Sequence, residues 1–184
     1  MLGAVIFAAA LNCAVFNISP QASQTLAPAA PDHAPGSCHI RLAANGMQLP
    51  DPSCTPGAVN PTVTAEVLRD PRFRTACVRD QISSAATKRH VYAWYGITPP
   101  THNTGPNMVC ELDHLVSIGL GGSDDLTNIW PECGPAGVSV GQREFKIKDA
   151  HAELSLMRAV KQGADLQAIQ RRIADDWTQF IAGP

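Results

Sequence analysis

The sequence predicts an α+β fold: a β-hairpin followed by a helix, closed by a C-terminal helical hairpin and preceded by an irregular Pro/Gly-rich N-terminal arm. Three observations predict it. Leu112, Leu115, Val116 and Ile118 read as one short strand, Gly119 to Ser123 as a turn that tolerates positive φ, and Asn128 to Trp130 as the returning strand. Leu166, Ile169, Ile173, Trp177 and Phe180 recur at intervals of three or four, the clearest helical stripe in the chain. Cys38 to Pro61 is rich in Pro, Gly and Asn and follows neither period.

Taken in order, Leu2 to Phe16 is apolar and runs into a Pro, Ala and Ser-rich stretch ending near Pro35, which reads as a secretory signal followed by a flexible spacer. Residues 36–184 then form a single domain, with the core motif at 108–160. Thr62 to Leu68 begins a helical turn after Asn60-Pro61, weakened by the β-branched Val63, Thr64 and Val67. Asp80 caps a helix to about Tyr95, with Ile82, Ala86, Val91 and Tyr95 inward and Gly96 as its stop. Tyr92, Trp94 and Tyr95 read as core rather than as a platform for stacking bases. Past Trp130, a loop leads to a helix from about Gln142 to Gln162, and Asp165 caps the last one.

The 184 residues, 45% hydrophobic and 16% charged, suit one globular domain with a modest core. Beyond the first residues no apolar run is long enough to cross a membrane. Once the signal-like segment is set aside, Cys38, Cys54, Cys77, Cys110 and Cys133 remain. In an oxidising compartment Cys110 and Cys133 are the most attractive pair, because they would brace both ends of the hairpin region, and one of Cys38, Cys54 and Cys77 is left over. No C-x-x-C occurs, which argues against zinc held by cysteines. The net charge of -2 says nothing for nucleic acid, but its distribution does. From Arg69 to His90, six cationic side chains (Arg69, Arg72, Arg74, Arg79, Lys88, Arg89) face only Asp70 and Asp80, a local surplus suited to a phosphate backbone.

The chemistry concentrates in CELDHLVSIGLGGSDDLTNIWPE, Cys110 to Glu132. Asp-His at a strand end, with Asn about fourteen residues later and a helix beyond, resembles the HNH branch of the ββα-metal nucleases. The likeness extends to PDPSCTPGAVNP (Pro50 to Pro61), TKRHVYAWYGI (Thr87 to Ile97), Lys148-Asp149 and IADDW (Ile173 to Trp177), blocks similar to those of a group of exported HNH-type proteins. It covers roughly Leu49 to Phe180.

The resemblance implies a ββα-metal core in which Asp113 ligates a divalent cation, His114 takes a proton from the attacking water and Asn128 steadies the loop that carries the histidine. A further ligand is implied on the helix after the hairpin. The usual HNH spacing would place it near Gly137, so a longer loop is expected to move it onto Gln142 to Glu153, with Asp149 chosen and His151 as the alternative. The implied cofactor is a divalent ion, Mg²⁺ ahead of Mn²⁺. The implied partner is DNA or RNA, held through phosphates by Arg72, Arg74, Arg79, Lys88, Arg89 and Lys148.

Elementary chemistry asks for the same residue types. Phosphodiester hydrolysis needs a base that works near neutral pH, for which imidazole is suited, and a cation to offset charge on the phosphate and leaving oxygen. A carboxylate is the hard oxygen ligand that Mg²⁺ prefers. Neighbours on a flat strand point to opposite faces, so Asp113 and His114 serve one site only where the strand twists or ends. Glu111 falls on the face of Asp113 and reads as a solvated strand residue. The expected function is therefore an exported, metal-dependent endonuclease. The rival reading is an exported, disulfide-braced nucleic-acid-binding protein that keeps the scaffold without catalysis.

Overall fold

A computed structural model describes residues 13–28, 32–79 and 88–181 of the chain. It is α+β, with three antiparallel two-stranded sheets on the N-terminal side and two helical stretches at the C-terminal end. Strand β1 (Gln24–Thr25) pairs with β4 (Ala58–Val59), β2 (Arg41–Leu42) with β3 (Gln48–Leu49), and β5 (Glu111–His114) with β6 (Ile129–Glu132).

The stretch expected as a spacer contributes structure. Gln24 and Thr25 lie against Val59 and Ala58, the Leu26 amide donates to the carbonyl of Gly57 at 2.9 Å, and Leu26 packs on the core. Cys13, set aside with the signal-like segment, forms a disulfide with Cys77. Cys38 pairs with Cys54 and Cys110 with Cys133, so the expected leftover thiol does not exist. The miscount came from discarding Cys13, whose partner lies 64 residues away. Three disulfides fit an oxidising environment. Among the described residues no helix is long and apolar enough to cross a membrane.

A short helix, Ala65–Arg69, starts where the turn was expected, with Thr64 as its N-cap accepting from the Val67 amide. The helix expected from Asp80 to Tyr95 is described only in its last part, His90–Trp94 with Tyr95 as C-cap; residues 80–87 lie outside the described set. Val91, Tyr92, Trp94 and Tyr95 are buried, and this helix packs on β6.

The hairpin differs from expectation at its loop. Strand β5 ends at His114, so Leu115, Val116 and Ile118 belong to the connection, which includes short 3-10 turns at Ile118–Leu120 and Leu126–Asn128. Val116 leaves the ladder because the side chain of Asn128, rather than a strand backbone, satisfies its N–H and C=O. The glycine turn is needed twice over. Gly121 has φ +79°, and a Cβ on Gly122 would fall 1.8 Å from the carbonyl oxygen of Val116.

One helical stretch, 144–161, follows. It is α over Glu144–Ile147, π over Lys148–Glu153 and α again over Leu154–Lys161. Gly163 ends it at φ +106°, and Asp165 caps the terminal helix Leu166–Asp176, which tightens into a 3-10 turn at Trp177–Phe180. The stripe of that helix enters a single core. Leu166, Ile169, Ile173 and Trp177 are buried with Leu115, Val116, Leu120, Ile129 and Trp130, and Trp177 Nε1 donates to the carbonyl of Gln48 at 3.1 Å.

Candidate metal and catalytic site

The hairpin register decides which side chains meet. Glu111 lies opposite Glu132, Asp113 opposite Trp130 and His114 opposite Ile129. Alternation puts Glu111, Asp113, Trp130 and Glu132 on one face, and His114 starts out on the other. Trp130 Nε1 donates to Asp113 Oδ2 at 3.3 Å.

The first face is covered by the π segment. A π turn advances more slowly than an α turn, so residues four and five apart stay closer to one line along the helix, and π segments concentrate at functional sites. Here that gathers Lys148, Asp149 and Glu153. Lys148 Nζ pairs with Asp113 Oδ2, lies 3.2 Å from Glu153 Oε1, and donates to the carbonyl of His114 at 2.7 Å. Ligand atoms of Asp113, Asp149 and Glu153 all lie within 4.8 Å of one another. Asp149 also meets Lys146 at 2.8 Å, and Lys146 reaches Glu111 at 3.3 Å. His151, the alternative helical ligand, is exposed and outside this group.

Behind the group sits Glu132, fully buried, with neither carboxylate oxygen hydrogen-bonded. The buried centre is over-supplied with negative charge: Asp113, Glu132 and Glu153 act on a single ammonium, a surplus of two if all three ionise. The titration directions follow. Burial, with Glu153 and Glu111 adding to it, pushes Asp113 up to about 6 against the pull of Lys148. Burial and then the Asp113 carboxylate raise Glu132 well above its ordinary value. Burial works to lower Lys148, but Asp113, Glu153 and Glu132 more than reverse it and keep the ammonium protonated. A divalent cation carries the charge this donor set lacks, and carboxylate oxygens are the ligands Mg²⁺ takes. The residues therefore fit such an ion.

His114 is built differently. Its Nε2 lies 2.7 Å from Asp124 Oδ1, and the same oxygen accepts from Lys88 Nζ at 2.5 Å. Burial alone would raise Asp124, but the hydrogen bonds from His114 and Lys88 hold it well below the usual carboxylate range. The imidazole is not part of the acidic group. What links the two is Lys148, which holds the Asp113 side chain and the His114 carbonyl together.

Comparison with protein-family models, with curated proteins and with solved structures finds no match.

Asn128 occupies the position the hairpin needs. Its Oδ1 accepts from the amides of Ala58 (3.3 Å) and Val116 (2.9 Å), and its Nδ2 donates to the carbonyls of Val116 and Ser123, both at 2.9 Å. It thereby fixes the loop between His114 and β6.

The cations expected on phosphate divide. Lys148 is buried among carboxylates and has no face left for a ligand, a correction to its expected role that follows from its place between hairpin and helix. Lys88 is committed to Asp124. Arg72 pairs with Asp70 at 2.7 Å, and Arg74 donates to the carbonyls of Pro71 and Phe73. Arg79 and Arg89 are exposed. Sequence reasoning missed Glu153, Glu132 and Asp124 as members of the site. Glu153 had a signal, four residues after Asp149 on one helix; the other two are placed by long-range packing.

Proposed function

We propose that the chain is a metal-dependent phosphodiesterase acting on nucleic acid, an endonuclease of the HNH kind with a ββα-metal core. The observation that carries it is the carboxylate group formed by the buried Asp113, on the hairpin strand that ends in His114, with the partly buried Asp149 and Glu153 of the helix. Asp113, Asp149 and Glu153 would hold the ion, with Glu132 behind them as a reserve of negative charge. When bound, the ion supplies charge to offset that developing on the phosphate and leaving oxygen. His114 takes a proton from water, Asn128 holds the loop in register, and Arg79 and Arg89 meet the phosphate backbone. The choice of base rests on the general suitability of imidazole for proton transfer.

The test is cleavage of supercoiled plasmid, single-stranded DNA and RNA by the oxidised full chain with Mg²⁺ or Mn²⁺. Cleavage lost with EDTA and with His114→Ala supports the reading; a chain that cuts none of the three substrates overturns it.

One observation favours a second reading. Lys148 already places a positive charge inside the carboxylate group, which would let the scaffold stand without an ion and serve as an exported binding protein. That reading expects no calorimetric signal for Mg²⁺ or Mn²⁺ and retained, salt-sensitive affinity for nucleic acid.

A further inference from the structure

The environment of His114 names the atom that does the work. Its Nε2 faces Asp124 Oδ1 at 2.7 Å, and that carboxylate, 1% exposed, is also held by Lys88. A carboxylate in that state accepts only, so the shared proton belongs to Nε2. Nδ1 makes no hydrogen bond among the described residues and is not among the buried unpartnered atoms, so it is open to solvent. Lys88 Nζ and the imidazole Nε2 thus converge on one oxygen, Asp124 Oδ1, at 2.5 and 2.7 Å.

We infer that Asp124, anchored by Lys88, is a positioning residue that holds His114 as the Nε2–H tautomer and makes Nδ1 the atom that accepts the proton of the attacking water. The inference rests on the hydrolytic reading above and deepens it. The water oxygen forms the new bond to phosphorus, its proton moves to Nδ1, the bond from phosphorus to the leaving oxygen breaks, and that oxygen takes a proton from solvent. The imidazolium so formed carries its charge beside the Asp124 carboxylate and then returns its proton to water. Lys88 is thereby removed from the phosphate-binding set and given a structural task in the site.

The test uses the oxidised, ¹⁵N-labelled full chain without substrate. Long-range ¹H–¹⁵N correlation, assigned with His114→Gln, is expected to show a protonated Nε2 whose hydrogen is protected from solvent exchange and an unprotonated Nδ1. Asp124→Ala should lose that protected hydrogen and lower kcat at least ~10-fold with KM little changed, and Asp124→Glu should recover part of both. Should Asp124→Ala fail to fold, Asp124→Asn keeps the shape and is expected to lower kcat in the same way. A wild-type histidine protonated at Nδ1, or an Asp124 variant with unchanged kcat, overturns the inference. Because the spectra need no cleavage, a chain that cuts nothing defeats the hydrolytic reading alone, whereas a wrong tautomer in an active enzyme defeats this inference alone.

Discussion

Asn128 and Val116 bond to each other in both directions: the Asn128 Oδ1 accepts the Val116 amide and its Nδ2 donates to the Val116 carbonyl, each at 2.9 Å. The side chain mimics a strand backbone at the point where β5 has ended. Asn128→Ala would strand four buried backbone groups, counting Ala58 N and Ser123 O. We expect a loss of ~2–4 kcal/mol in urea unfolding, with Asn128→Asp also destabilising because a carboxylate cannot donate to the two carbonyls.

Gly122 has no room for a side chain. With a Cβ directed at the Val116 carbonyl and, at 2.9 Å, at Asn128 Nδ2, Gly122→Ala should cost at least ~2 kcal/mol by the same measurement. The neighbouring Gly119→Ala meets only the flexible side chain of Met157 and should cost clearly less. Equal losses at the two positions would contradict the close approach.

Lys148→Met separates the two functional readings. Removing the ammonium leaves the buried Asp113 and the partly buried Glu153 without their counter-charge and should destabilise the metal-free protein by ~3–5 kcal/mol. On the hydrolytic reading, Mg²⁺ restores much of that, read as a rise in the urea midpoint with metal concentration. On the scaffold reading, added Mg²⁺ leaves the midpoint where it is.

The buried acids set a pH dependence. Asp113 is raised from 3.8 to about 6, so the folded chain keeps a proton that the unfolded chain releases. The stability this confers is complete below about pH 4 and lost as pH rises through about 6, and Glu132, also raised, extends the loss upward. In EDTA the protein should therefore be more stable near pH 5 than at pH 7.5. Glu132→Gln should flatten that difference. Asp124, displaced the other way, contributes stability that is fully present above the usual carboxylate range and lost only as pH falls below it, so it adds no slope in this window. Stability rising between pH 5 and 7.5 without metal would refute the raised acids.

Of the cations expected on phosphate, Arg79 and Arg89 are exposed and make no salt bridge among the described residues. Replacing both with Ala should weaken binding to duplex DNA similarly for any sequence and make the slope of log K against log salt shallower by ~1–2. Lys148→Met is expected to leave that slope unchanged. Titrations at several salt concentrations measure both.

Much of the architecture could be read from the chain because it rests on local periodicity and caps. The stripe Leu166 to Phe180, the Asp165 cap and the two arms of the hairpin are of this kind, and α+β followed from them. Strand ends were less legible: Leu115 and Val116 look like strand residues, yet a side chain fourteen and twelve positions on the sequence from His114 and Val116, that of Asn128, takes over the ladder's hydrogen bonds. Within the site, Asp113, His114, Asn128 and Asp149 were nominated by the family resemblance. Asp124 beside His114 depends on a turn folding back, and Glu132 on a one-to-one register with Glu111 that no spacing announces. Lys148 was expected on phosphate; only the packing of helix on hairpin shows it enclosed.

The bridge from Cys13 to Cys77 makes the oxidation count sensitive to any proteolytic cut near residue 13. A peptidase cutting ahead of Cys13 delivers six sulfurs in three pairs, whereas one cutting beyond it leaves Cys77 as an odd, alkylatable thiol. Intact-mass measurement before and after iodoacetamide, without reductant, tells these histories apart on the folded protein.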